Sequence, residues 1–101
     1  MTQILERVRF RTLPGTDEAQ FIAAAAAISD WAKTQPGFAY RTLVRDGEEW
    51  IDLAFWSDLD AAKAASAGFM EANGSSAFMA MIDPESVRME YLSQMHSAMA
   101  A

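Results

Sequence analysis

Asp46-Gly47 sits between two runs of aromatic and branched residues, 38–45 and 49–56, and this constrains the chain more than any other feature. An acidic residue followed by glycine between two such runs is a strong local signal for a tight antiparallel hairpin. With Asp46 and Gly47 as a two-residue loop, Arg45 faces Glu48, Arg41 faces Asp52, Leu43 faces Trp50, Tyr40 faces Leu53 and Phe38 faces Phe55. Both arginines then meet an acid. Phe38, Tyr40, Val44, Ile51, Leu53 and Phe55 form the apolar side of the ribbon, which is expected to face the core.

The flanking segments extend this hairpin into a sheet with helices. Residues 4–13 alternate Ile4, Val8 and Phe10 with Arg7, Arg9 and Arg11, which reads as a strand. Leu13-Pro14-Gly15-Thr16 breaks it, and Asp17 with Gln20 resembles a capping box. Phe21, Ala24, Ala25, Ile28, Trp31 and Ala32 then fall on one helical stripe that Pro36-Gly37 ends. After the hairpin, Ser57-Asp58 can cap a second helix over 59–72, bearing Ala62, Ser66, Phe69 and Met70. Asn73-Gly74 stops that helix, Ser75-Ser76 can open a short helical segment, and Asp83-Pro84 closes it. Val87, Met89 and Tyr91 alternate with Arg88 and Glu90 in a fourth strand.

The order strand, helix, strand, strand, helix, strand defines an α+β, ferredoxin-like βαββαβ fold: a four-stranded antiparallel sheet with two main helices on one face. At 101 residues the chain supports one domain, read as 1–92, followed by a tail, 93–101, that is expected to fray. A net charge of -6 disfavours nucleic acid and anionic membrane surfaces as partners. The longest apolar run, 23–28, is mostly alanine and too short to cross a bilayer, and no signal pattern opens the sequence, so a cytoplasmic location is expected. With no cysteine and one histidine, thiolate chemistry and the common zinc and copper sites are excluded; no metal and no cofactor is expected.

A sheet covered on one face leaves the other open. The alternation places Arg7, Arg9, Arg11, Arg41, Arg45 and Arg88 there, among Leu43, Trp50, Asp52, Ala54 and Glu90. A large aromatic among forked cations suits a second protein surface better than water, which predicts a homodimer through the sheet face with Arg9, Arg41, Trp50, Asp52 and Arg88 in the interface. On the covered side, Phe10, Phe21, Trp31, Phe55, Phe69, Phe78, Met81 and Met89 point inward, and they either fill the core or line a pocket for a small apolar ligand. Glu6 shares its strand face with Ile4, Val8 and Phe10. It is either a pocket-wall carboxyl with a raised pKa or a solvated acid at the sheet edge. His96, in the tail, is either inert or a cap on a partner's pocket.

Gln35-Pro36-Gly37-Phe38, the hairpin, and Phe55-Trp56-Ser57-Asp58 leading into a helix together resemble the antibiotic biosynthesis monooxygenase-like family of the dimeric α+β barrel superfamily. The resemblance implies a homodimeric barrel with a cavity between each sheet and its helices, where some members bind polycyclic aromatics or haem. Some of those oxygenases need no metal or organic cofactor. Haem-degrading relatives carry a histidine in the helix after Trp-Ser, with an asparagine and a tryptophan. Here residues 62–67 contain no histidine, Asn73 falls in a loop, and only Trp56 has a counterpart. The resemblance therefore implies a cofactor-independent oxygenase acting on an apolar aromatic or quinone-like compound. Trp56 is its matching position, and Tyr40, Tyr91 and Glu6 are candidates by chemical role. The alternative is a non-catalytic dimer that binds a small hydrophobic molecule.

Overall fold

A computed structural model describes residues 3–100. The elements are β1 (Ile4–Phe10), α1 (Glu18–Ala32), β2 (Phe38–Asp46), β3 (Glu49–Trp56), α2 (Leu59–Gly68), α3 (Ser75–Ala80) and β4 (Arg88–Ser93), with single 3-10 turns at Phe69–Glu71 and Pro84–Ser86. The strands form one sheet in the order β2-β3-β1-β4, every neighbouring pair antiparallel. This is the ferredoxin-like βαββαβ arrangement. No helix among the described residues is long and apolar enough to cross a membrane.

Local chemistry sets the helix ends. Asp17 opens α1 by accepting from the Ala19 amide at 3.0 Å, and Asp58 opens α2 by accepting from the Ala61 amide at 2.8 Å. The chain leaves α1 through Gly37, at φ +82, where a Cβ would lie 2.5 Å from Ser57 Oγ and 2.7 Å from Ala61 Cβ. Only glycine fits there. Its carbonyl accepts from the Ser57 amide at 2.8 Å, so the start of β2 is tied to the turn after Trp56.

Phe21, Ala25, Ile28 and Ala32 are the residues α1 buries. Phe21 is fully buried, stacked on Phe78 at 5.1 Å between ring centroids and tilted against Trp50 at 5.0 Å. A second cluster gathers Ile4, Ala54 and Trp56 beneath Ala62 and Ala65 of α2. These small alanines let the helix sit close to the sheet. Burial of this apolar surface, at roughly 25 cal/mol per Å², is the main force holding the two layers together.

The hairpin differs from the sequence reading in register and in face. Its loop is Gly47-Glu48, so Asp46 pairs with Glu49, Arg45 with Trp50, Leu43 with Asp52, Arg41 with Ala54 and Tyr40 with Phe55. Gly47 has φ +61 and no non-glycine residue among the described residues has positive φ, the pattern of a type II′ turn with glycine in the first central position. That requirement moves Asp46 out of the loop and shifts the register by two.

The face is decided by β1 rather than by the hairpin's own hydrophobicity. Ile4, Val8 and Phe10 pack under the helices and pair with Trp56, Asp52 and Trp50 of β3. Directly paired residues share a face. Arg41, Arg45, Trp50 and Asp52 therefore lie on the helix side, and of the five expected interface residues only Arg9 and Arg88, paired to each other, lie on the opposite side. Tyr40, Val44, Ile51, Leu53 and Phe55 join them there with Leu5 and Leu92. A bulge between Phe38 and Tyr40 lets Phe38 keep to the helix side, edge-on to Trp56 at 5.4 Å. Beyond β4 the described residues form no regular element, and the Gln94 amide donates to the Gln3 carbonyl at 2.9 Å.

Candidate active site

Between the sheet and the helices lies a cavity of about 210 Å³. Its floor is the inner sheet face, with Glu6 and Val8 from β1, Asp52 and Ala54 from β3, and Arg41 from β2. Trp31 and Phe69 meet edge to face at 5.8 Å on the helical side. Most of the wall is apolar, and Ser66 is the polar side chain that the helices bring to it.

Glu6 occupies one of the two inner strands, not a sheet edge. It faces the cavity, and Trp56 Nε1 donates to Glu6 Oε1 at 3.1 Å. Burial raises the Glu6 pKa above its ordinary value. The Trp56 donation partly offsets that, the Asp52 charge adds to the rise, and Arg41 opposes it. A carboxyl held this way is a better proton acceptor than a solvated one.

Arg41 and Asp52 form a bidentate ion pair, with Nε to Oδ1 at 3.0 Å and Nη2 to Oδ2 at 2.7 Å. Arg41 Nη1 also donates to the Ala25 carbonyl at 2.6 Å and to Ser29 Oγ at 2.8 Å. Their side chains are 5 % and 16 % exposed, so this charge pair belongs to the interior and bolts α1 to the sheet. Arg45 lies further along the same face, its guanidinium 4.6 Å from the Trp50 ring centre and 3.0 Å from Glu18.

The remaining sequence candidates divide cleanly. Phe10, Trp31, Phe69, Phe78 and Met89 line the cavity. Phe21 and Met81 pack in the adjoining core instead of the wall. Phe55 and Tyr40 sit on the opposite face of the sheet, paired with each other, because β3 presents its Trp50 and Trp56 parity to the helices. Tyr40, 58 % exposed, is thereby removed from any role inside this cavity. Tyr91 pairs with Glu6 across β1 and β4 and packs with the Ile4 and Trp56 cluster. His96 is exposed in the tail. The sequence pairs Arg41 with Asp52 but places both on the opposite face of the sheet from the one they occupy; Ser66, Met79 and Val87 carry no sequence signal that distinguishes wall from core. Among the described residues no group of three His, Cys, Asp or Glu could hold a metal ion.

No family model matches the sequence, and no curated protein matches it. Solved structures do match. SnoaB, a cofactor-independent oxygenase from Streptomyces nogalater, superposes with a TM-score of 0.78 at 22% identity, covering 96% of this chain and 97% of its own. A proposed antibiotic biosynthesis monooxygenase from Bordetella bronchiseptica gives 0.78 at 19% identity over 95% of this chain and 100% of its own. Another, from Caulobacter crescentus, gives 0.74 at 18% over 94% and 92%. The fold is that of the antibiotic biosynthesis monooxygenase-like proteins.

Proposed function

We propose that this protein is a cofactor-independent oxygenase of a small apolar aromatic or quinone-like compound, working as a homodimer. The observation that carries this reading is Glu6, a desolvated carboxyl in the wall of an apolar cavity and held by the Trp56 indole. A cavity of roughly 150 Å³ accepts benzene. At about 210 Å³, this one suits one ring or two fused rings.

The chemistry needs a base, a cavity that excludes water, and dioxygen. Glu6 takes a proton from an activated ring carbon, leaving a carbanion whose charge spreads onto a ring oxygen. The carbanion reacts with dioxygen to form a C–O bond, and protonation by Glu6 gives a hydroperoxide. Loss of the second hydrogen from that carbon with cleavage of the O–O bond yields a carbonyl and water. One oxygen atom ends in the quinone and the other in water.

The homodimer reading rests on the outer sheet face. Leu5, Ile51, Leu53 and Phe55 form its centre, flanked by Tyr40, Val44 and Leu92, an apolar surface that monomers avoid. Binding without turnover is the second reading, favoured by the absence of histidine in 62–67. Oxygen consumption with hydroxylated naphthalenes, in the presence of a chelator, separates the two. Uptake abolished by Glu6→Gln supports the oxygenase, and saturable binding with no uptake supports the binder. Light scattering tests the dimer, which Leu53→Asp should dissociate.

A further inference from the structure

Arg41, Ala54, Glu6 and Tyr91 form a row across all four strands, because Arg41 pairs with Ala54, Ala54 with Glu6, and Glu6 with Tyr91. Neighbouring strands lie about 4.8 Å apart, so the Arg41 and Glu6 backbones stand roughly 10 Å apart on one face. Between them is a methyl group, which leaves the floor low. A guanidinium thus borders one side of the cavity and a carboxyl the other.

A guanidinium has five N–H donors. Four of those on Arg41 are committed: Nε and one Nη2 hydrogen to Asp52, both Nη1 hydrogens to Ala25 and Ser29. The second Nη2 hydrogen has no partner among the described residues, and Arg41 is part of the cavity wall. Four fixed contacts hold the cation still, and such preorganised donors are the ones that stabilise developing negative charge most effectively. Asp52 neutralises the net charge of Arg41 without consuming that last donor.

We propose that Arg41 is the specificity-determining group of this site: its spare Nη2–H binds a ring oxygen of the substrate, whose acidic hydrogen lies over Ala54 toward Glu6. The ring oxygen that the proposed reaction already requires is thus read by Arg41, which rejects a plain hydrocarbon of the same shape. This inference rests on the reading of Glu6 as proton acceptor. The charged groups around the site are Glu6, Arg41 and Asp52, and Ser66 of α2 is a further polar residue of its lining.

Para-nitrophenol, one ring with a coloured anion, tests the proposal without requiring turnover. In Glu6→Gln, which leaves the Arg41-bound Asp52 as the anion among the wall residues, the bound phenol should ionise about one pKa unit lower than free dye, roughly a ten-fold preference for the anion. Para-nitrotoluene should bind about ten-fold more weakly than the anion. Arg41→Lys should abolish the shift. Should that variant fail to fold, Ala54→Val decides instead, since it leaves every Arg41 anchor in place while raising the floor, and it should lose the dye. An unchanged or raised ionisation constant, equal binding of the nitrotoluene, undetectable binding of the dye, or full binding to Ala54→Val would overturn the proposal. Oxygen uptake with naphthols reports separately: uptake without the dye shift sinks only the role of Arg41, and the shift without uptake sinks only the reaction.

Discussion

The Trp56 indole N–H donates to the Glu6 carboxylate at 3.1 Å, from a position diagonal to it across the β1–β3 ladder. Burial raises the proton affinity of the carboxyl that borders the cavity, and donation to a carboxylate favours its ionised form, so this contact aims the carboxyl and offsets part of that rise. Trp56→Phe keeps an aromatic ring in the cluster and removes the donor. The Glu6 pKa should rise further, and the acidic limb of the pH–rate profile should move to higher pH. Carbon-labelled glutamate followed by NMR gives the same answer without turnover, and an unmoved titration would show that the hydrogen bond has no electrostatic consequence.

Glu6 also costs the fold stability. Its pKa is raised on folding above the ordinary value for a glutamate, so the folded state binds the proton more tightly than the unfolded chain. Stability is therefore greatest below that value, falls as pH rises toward the folded pKa, and stays reduced above it. Glu6→Gln removes this dependence. Urea unfolding should find the variant increasingly more stable than wild type as pH climbs through that window, with little difference in acid. The opposite order would mean that the carboxylate is satisfied in place.

Asp52→Ala leaves Arg41 charged and nearly buried with its strongest partner gone. Breaking one side of a buried pair costs about 3–5 kcal/mol, and the loss should appear as a lower urea midpoint. It should also free α1, since the same guanidinium holds Ala25 and Ser29. Hydrogen exchange should quicken in the second half of α1 more than in α2; uniform exchange would assign the anchoring to apolar contacts alone.

At Gly37 both conformation and space forbid a side chain. Gly37→Ala combines a left-handed φ with contacts to Ser57 and Ala61 that would have to yield, and should lose at least about 1 kcal/mol. Thermal denaturation checks the loss. Because Gly37 and Ser57 are hydrogen-bonded, the Trp56 indole resonance should shift as well.

The fold was readable because each element had its own signal: the period-2 alternation of β1, the stripe of α1, and Asp58 before α2. The two-fold ambiguity of the hairpin was not. Both of its faces are apolar, one through Ile51, Leu53 and Phe55 and the other through Leu43, Trp50 and Trp56, so hydrophobicity cannot choose between them. Pairing of β3 with β1, a contact between distant segments, makes the choice. The same inversion brings Arg41 and Asp52 into the cavity and takes Phe55 and Tyr40 out of it. The outer face is more apolar than the arginine-rich one expected, with Leu5, Ile51, Leu53 and Phe55 where Arg41, Trp50 and Asp52 were placed from sequence. Glu6 was open between two readings in sequence because nothing local reveals that β1 is a central strand.

The cavity itself is tested most directly by its indole groups. Trp31 and Trp56 line it, whereas Trp50 lies outside the wall with its Nε1 buried and unpartnered. Titration of the nitrogen-labelled protein with 1-naphthol should shift the Trp31 and Trp56 indole N–H signals together and saturably, and leave that of Trp50 nearly still. A titration to the solubility limit that moves none of the three, or moves only signals from the outer sheet face, would contradict a ligand chamber between sheet and helices.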